Sequence, residues 1–353
     1  MGAPLKTAGA LVAAGLLPLD RQQEAEAVAA RYAVAVSPDI AALIDPTDPN
    51  DPIARQFLPD ASELLSAPEE RADPIGDGPH SPVEGIVHRY PDRVLLKAVH
   101  VCPVYCRFCF RREVVGPEGA GMLDQPALAA AIDYIRSRPE IWEVILTGGD
   151  PLVMSPRRLA DIMAMLAGIE HVKIVRFHTR VPAVDPERID ADLIDALKAG
   201  GKTVVVALHA NHVRELTPKA RAACRRLIDA GISMVSQTVL LEGVNADAAV
   251  LADLMRGFVE TGIKPYYLHH PDLAPGTAHF RVRIEEGRAI VEALRARVSG
   301  LCMPAYVLDI PGGFGKVPLT NSPVRRTGAN TFDVQDRLGG QHAYPPAGDG
   351  SPD

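Results

Sequence analysis

The chain has no uninterrupted apolar run of 18 residues, so no stretch of it reads as a membrane-spanning helix. It has no basic excess: 37 Lys and Arg stand against 44 Asp and Glu, for a formal net charge of −7. A protein that coats nucleic-acid phosphates runs the other way, although a small basic cluster for an anionic cofactor fits this balance. Cysteine is scarce, five in 353 residues, too few and too unevenly spaced for the disulfide framework of a secreted domain. Solenoid-type repeats are absent. What is present is ordinary globular composition, 47% hydrophobic and 23% charged, enough for one large domain or two ordinary ones.

Three of the five cysteines, Cys102, Cys106 and Cys109, crowd into eight residues, while Cys224 and Cys302 stand alone. Thiols at that spacing suit metal ligation better than a disulfide ladder, which points to a reducing, cytoplasmic compartment. The apolar start, Thr7 to Leu17, is followed by Pro18-Leu-Asp and not by a small-residue cleavage site. It reads as a short amphipathic helix rather than a signal segment. Gln22 to Val34 is rich in Ala and Glu and reads as helix; Asp45 to Pro82, full of Pro and Asp, reads as a loop-rich layer.

From residue 93 the pattern changes. Short β-branched runs appear at 94–99, 143–146, 172–177, 203–208, 233–240, 264–268 and 305–308. Helical stretches separate them, at 126–136, 156–166, 187–198, 219–230, 247–261 and 285–299. The repeat is roughly 30 residues, the length of a βα unit, which calls for parallel strands joined by right-handed crossovers. The predicted fold is α/β: an open or partial (β/α)6 barrel over 86–320, an N-terminal helical and loop-rich region over 1–85, and a short C-terminal extension over 321–353. The Pro-, Gly- and Asp-rich tail 341–353 is expected to be disordered.

In such a barrel the chemistry belongs in the loops after the strands. The polar motifs fall there: Cys102-Pro-Val-Tyr-Cys106-Arg-Phe-Cys109, Thr147-Gly-Gly-Asp150, His178-Thr-Arg180, His209-Ala-Asn-His212, Gln237, His269-His-Pro-Asp272 and Asp309-Ile-Pro-Gly-Gly-Phe-Gly-Lys316. The C-x3-C-x2-C spacing lets three thiolates of one loop hold three corners of a [4Fe–4S] cubane and leave the fourth iron open. A Cys3His zinc site completed by His100 or a distant histidine is the alternative that spacing also allows. The run ending in Lys316 is not a P-loop, because Ile310 and Val317 break the G-x4-G-K-[ST] frame. A lysine after a glycine-rich turn can reach a cofactor while backbone amides face its phosphate.

The cysteine loop, with Phe108 ahead of its last thiol, resembles that of the radical S-adenosylmethionine (SAM) enzymes. His88-Arg-Tyr-Pro-Asp-Arg93, Cys109-Phe-Arg111-Arg112 and the run ending in Lys316 narrow the resemblance to the lysine 2,3-aminomutase family, over roughly residues 50–320. The resemblance implies a radical SAM barrel with three cofactors: a [4Fe–4S] cluster on Cys102, Cys106 and Cys109; SAM beside Gly148, Gly149, Asp150, His209 and Gln237; and pyridoxal phosphate (PLP) on Lys316, with Arg89 and Arg93 beside the rim at the PLP. It implies Arg111 for the substrate α-carboxylate and the pair Asp272 and Asp309 for a distal ammonium. The implied activity is 2,3-amino migration between L-lysine and β-lysine, served by a low-potential electron donor. Relatives of this pattern acting on arginine or glutamate, and the branch that supplies β-lysine for elongation factor P, are the alternatives. A radical SAM modifier of RNA or peptide without PLP, and a zinc-stabilised binding barrel, are rivals from other classes. The cysteines that bind structural zinc in longer members are missing after Lys316, so no zinc is expected; a homo-oligomer stays open. No nucleic-acid or membrane partner is expected. Phe314 stands where a glycine is usual and is expected to tighten the pocket. No role falls to His178, His212, His269 or His270.

Overall fold

A computed structural model of the chain describes residues 2–116, 121–320, 322–336 and 339–345. Among them one nine-stranded sheet follows chain order: β1 (Ile86–Tyr90), β2 (Arg93–Val99), β3 (Glu143–Gly148), β4 (Ile174–Thr179), β5 (Thr203–His209), β6 (Ser233–Val239), β7 (Lys264–His269), β8 (Ala305–Asp309) and β9 (Lys316–Pro318). β2 to β8 are parallel, and β1 and β9 lie antiparallel along the two edges. The sheet curls but does not close, giving a half-barrel of six βα units and a final strand. The N-terminal layer carries α1 (Ala8–Ala13), α2 (Gln22–Ala29), α3 (Pro38–Ala41) and α4 (Pro52–Phe57). The crossovers carry α5 (Gln125–Arg136), α6 (Pro156–Ala167), the single turn α7 (Val181–Val184), α8 (Ala191–Lys198), α9 (Pro218–Asp229), α10 (Ala248–Thr261) and α11 (Ile284–Arg297).

Local chemistry explains why these helices sit where they do. Asp124, Ser155 and Thr217 each accept the backbone N–H three residues on, and a proline occupies the first turn of α5, α6 and α9. Their buried residues share one spacing, i, i+3, i+4, i+7: Leu128, Ala131, Ile132 and Ile135; Leu159, Ile162, Met163 and Leu166; Ala220, Ala223, Cys224 and Leu227. That stripe packs each helix against the sheet, and each large aliphatic side chain so buried contributes about 1.5–3 kcal/mol. Cys224 belongs to this stripe and Cys302 is also buried.

Several expectations are corrected. The first strand was expected at 94–99, with His88 to Arg93 ahead of it; instead His88–Tyr90 lies in β1 and Pro91–Asp92 turns the chain into β2. The helix expected from Glu187 begins at Ala191, because Asp190 caps it through Leu193 N–H at 2.9 Å and Pro186–Arg188 forms a separate 3-10 turn. The helix expected over Gln22–Val34 ends at Ala29, after which Val36 pairs with Leu5 through two 2.9 Å backbone bonds. The loop-rich layer contains α4, capped by Asp51. The extension is not structureless at its start: β10 (Val324–Arg326), β11 (Phe332–Gln335) and β12 (Gln341–Tyr344) form an antiparallel sheet. Residues 346–353 of the expected disordered tail lie outside the described residues.

The exit of β3 is the tightest approach beside the cysteine loop. Gly149 N–H donates to Val99 O at 2.6 Å and Asp150 N–H to Val101 O at 3.0 Å, so the turn extends the β2–β3 pairing up to Cys102. A methyl group on Gly149 would stand 2.2 Å from Val101 O, and Gly148 has φ +111°. Gly149→Ala is therefore expected to destabilise the protein by about 1–3 kcal/mol, whereas Gly300→Ala, with nothing within 4 Å, should leave it unchanged. Thermal unfolding of the two variants checks this, and equal midpoints would contradict it.

Candidate active site

One cavity at the open side of the half-barrel is lined by all fourteen residues singled out from sequence. They come from eight different strands or the loops after them, so the juxtaposition is a product of the fold.

The loop after β2 brings in Cys102, Cys106 and Cys109. It is held by the N-terminal layer: Tyr105 N–H donates to Ala35 O at 3.1 Å and Arg107 N–H to Gln56 O at 2.8 Å. Arg107 and Arg112 both pair with the fully buried Glu63, the former through Nε at 3.0 Å to each oxygen. All three thiols are free. Burial pushes Cys106 up to about 11 despite the Arg180 guanidinium, and it raises Cys102 and Cys109 as well. Such buried thiols become thiolates only against a positive charge, which iron would supply. Among the described residues no group of three or more His, Cys, Asp or Glu is arranged to hold a single metal ion. Three thiols that one loop presents to one cavity are the donor set that an iron–sulfur cluster with an open iron would use.

The turn after β3 has spent the amides of Gly149 and Asp150 on β2. A turn of this kind has carbonyl oxygens left to offer, acceptors suited to an ammonium group. Asp150 accepts from Thr179 Oγ1 at 2.7 Å, Leu152 N–H at 3.0 Å and Arg180 N–H at 2.7 Å, tying the loops after β3 and β4 together. His209 ends β5 with its Nε2 buried and without a partner. Burial and the nearby Arg180 keep its ring neutral. An orphaned ring nitrogen is costly unless a ligand meets it, so His209 is a residue that a bound cofactor would satisfy. Gln237 Nε2 lies 3.4 Å from His178 Nε2.

The third group is a set of paired charges. Lys316 Nζ lies 2.9 Å from Asp309 Oδ1, and its backbone N–H donates to Tyr90 Oη at 2.9 Å. Burial raises the Asp309 carboxyl, but His269 and Lys316 outweigh it and hold the group well below the usual carboxylate range. His269, 3.7 Å away, is itself kept neutral by burial, so Lys316 is the cation of this pair. Asp272, after β7, is different: burial and the neighbouring Asp309 charge push it up to about 7. Arg111 donates from Nε and Nη2 to Asp77 Oδ2 at 3.1 and 3.0 Å, and Arg89 lies 3.7 Å from the other oxygen of Asp77. Asp77 thereby bridges the arginines assigned to a carboxylate and to a phosphate. Arg93 is not beside the rim as expected. It opens β2, about 20 Å along the strand from the cysteine loop at 3.3 Å per residue, and lines the cavity from inside the barrel with its guanidinium 3.9 Å over the Tyr90 ring.

Sequence reasoning missed Asp77 and gave no role to Arg180, whose Nη1 lies 3.1 Å from Cys106 Sγ. Of the four unassigned histidines, His178 and His269 line the cavity. His212 accepts from Arg214 N–H at 3.3 Å, and His270 lies 2.8 Å from Tyr306 Oη. Phe314 does not tighten the pocket: it is 80% exposed. Gly312, Gly313 and Gly315 have φ of +91°, +87° and +90°, and position 314 alone in that run keeps an ordinary φ, so a side chain is admitted there and points to solvent.

Residues 96–255, from within β2 to α10, match the family model of the radical SAM superfamily. A half-barrel bearing a three-cysteine loop after its first parallel strand is that class of enzyme. The L-lysine 2,3-aminomutase of Clostridium subterminale is 42% identical over 306 residues, which cover 86% of this chain and 73% of that protein. The enzyme of that name from Acetoanaerobium sticklandii is 41% identical over 286 residues, 81% and 69% of the two chains. Glutamate 2,3-aminomutase of Clostridioides difficile is 36% identical over 292 residues, 83% and 68%. The chain belongs to the lysine 2,3-aminomutase family, and it is therefore an isomerase that moves an amino group within one molecule. No helix among the described residues is long and apolar enough to cross a membrane.

The raised Asp272 has a consequence for stability. Its folded-state value of about 7 lies above the ordinary carboxylate value near ~4. The folded chain then holds a proton that the unfolded chain releases, so stability falls as pH rises from ~4 to 7, by at most about 1.4 kcal/mol per pH unit. Asp272→Asn, free of ligand, is expected to exceed the wild type in stability above pH 7 and to lose that advantage near pH 4. Urea unfolding across this range checks it, and a difference independent of pH would contradict it.

Proposed function

We propose that the protein interconverts L-lysine and β-lysine by moving the amino group between C2 and C3, with a [4Fe–4S] cluster, SAM and PLP as cofactors. The observation that carries the reading is the pair Asp272 and Asp309, which leave neighbouring strands β7 and β8 and face Lys316 across one cavity. Burial raises the Asp272 carboxyl most, and the repulsion of the neighbouring Asp309 carboxylate adds to it. A substrate cation between them would relieve that repulsion. Lysine carries such a cation at the end of a four-carbon stem; glutamate and alanine do not.

The shared cavity and the family resemblance support the following roles. Cys102, Cys106 and Cys109 hold three irons, and the Gly148–Gly149 turn, His209 and Gln237 border SAM, with Asp150 bracing that turn. Lys316 anchors PLP, and Arg89 and Arg93 take its phosphate, a task suited to the guanidinium fork. When bound, the cluster and SAM supply a carbon radical that removes a hydrogen atom, and PLP supplies a conjugated ring over which the unpaired electron spreads. Arg111, two residues past Cys109, takes the α-carboxylate by exchanging it for Asp77. Asp309 gives up Lys316 and, with Asp272, receives the distal ammonium. Phe108 and Phe280, with ring centroids 6.0 Å apart, wall the cavity near the cysteines and exclude water. The reading also requires a low-potential electron donor and a cytoplasmic setting.

Anaerobic assays with lysine, arginine, glutamate or alanine, supplied with SAM, PLP and a reductant, test the substrate. Lysine should be preferred over glutamate and alanine. Breaking a buried ion pair typically costs about 3–5 kcal/mol, and about 1.4 kcal/mol is tenfold in rate. Asp272→Asn or Asp309→Asn should thus cut kcat/KM for lysine by roughly two orders of magnitude or more, with iron and PLP content near normal. Glutamate turnover matching lysine, or a double variant that processes lysine normally, would refute the assignment. Arginine outpacing lysine would move the substrate to the longer cation.

A further inference from the structure

Arg180 follows β4 and is only 6% exposed. Its Nη1 donates to Cys106 Sγ at 3.1 Å, and its Nη2 donates to Gln56 Oε1 at 3.2 Å and to Glu215. Those partners are fixed in turn. Glu215 is fully buried, and its Oε1 accepts from Asn211 N–H at 2.8 Å, His212 N–H at 3.0 Å and Gln56 Nε2 at 3.3 Å. Asn211 Nδ2 donates to Gln56 Oε1 at 3.0 Å. The guanidinium also lies 4.9 Å from the Phe57 ring centroid and 5.6 Å from that of Phe108. The Arg107, Arg111 and Arg112 charges act on Cys109 from a distance, but among the described residues the side-chain hydrogen bond to a thiol of this loop is the one from Arg180 to Cys106. A clamped cation therefore addresses one of the three thiols.

We propose that Arg180 is a positioning residue for the iron–sulfur cluster, donating to the Cys106 thiolate, fixing that corner and raising the reduction potential of the cluster. The inference rests on the cluster reading above. One electron from the low-potential donor enters the cluster and no proton moves with it, so the reduced form carries one more negative charge. A charge-assisted hydrogen bond to a ligand sulfur stabilises that form more than the oxidised one. The guanidinium is held from the far side by Glu215 and Gln56, so it cannot swing away to meet another anion.

The test uses the full chain, reconstituted with iron and sulfide under anaerobic conditions, and follows the reduced cluster by electron paramagnetic resonance in a titration with dithionite and mediators, without SAM. Arg180→Gln is expected to bind normal iron and, at the wild-type midpoint, to show a reduced-to-oxidised ratio at least tenfold lower, which is 59 mV for a one-electron couple. Arg180→Lys, which keeps the charge but not the fork, should shift less. Wild-type protein labelled with 15N in the arginine guanidino groups should show a 15N coupling to the reduced cluster that Arg180→Lys loses. An unmoved midpoint in an iron-replete Arg180→Gln, or no 15N coupling in the wild type, would overturn the proposal. If Arg180→Gln fails to fold, the labelled wild type and Arg180→Lys decide it. A wild type that takes up no iron would overturn the cluster assignment beneath it.

Discussion

A charge inside a half-closed cavity must have a partner, and here the protein supplies those partners itself. Lys316 rests on Asp309, and Arg111 and Arg89 share Asp77. Leaving any of these charges unpaired would cost several kcal/mol, so the protein's own pairs stabilise the site. The arrangement also sets what a ligand must bring. On the proposed reading, a phosphate and a carboxylate would take the place of Asp77, and an ammonium would take that of Lys316 once the lysine holds the cofactor. Asp272 is the exception: it has no salt bridge among the described residues, and burial with the neighbouring Asp309 charge raises its carboxyl to about 7.

This exchange needs a rigid frame, and the N-terminal layer supplies much of it. Glu63 grips Arg107 and Arg112 on either side of the last cluster cysteine, Gln56 steadies Arg180, and Asp77 comes from the segment packed against the open seam. At that seam Gly76 approaches Gly312 and Gly313 so closely that a methyl group would sit 2.5 Å from backbone. Residues ahead of the barrel therefore contribute to the site as directly as the strand ends do.

The half-barrel could be read from sequence because its signals are local: β-branched runs, capped helices and a stripe repeated every turn. The cysteine loop and the glycine run were legible for the same reason, since each packs its chemistry into a few residues. β1 was missed because it is five residues long and ends in Tyr-Pro-Asp, which reads as loop. Asp77, Gln56 and Glu215 were missed because each is a single polar residue whose partner lies 34 to 159 positions away. Arg93 was misplaced because its cavity neighbours, set by the curl of the sheet, are distant in sequence and only the fold brings the foot of β2 to them. Phe314 was misjudged because its orientation follows from the φ values of its neighbours.

The exchange at Lys316 is the step on which the account turns, and borohydride trapping tests it most directly. Protein loaded with PLP, reduced with borohydride and mapped by peptide mass should carry the cofactor on Lys316. Saturating lysine added before the borohydride should abolish that label, because the substrate amine takes the place of Lys316. A label on Lys97 or Lys173, or a Lys316 label that lysine leaves untouched, would contradict it.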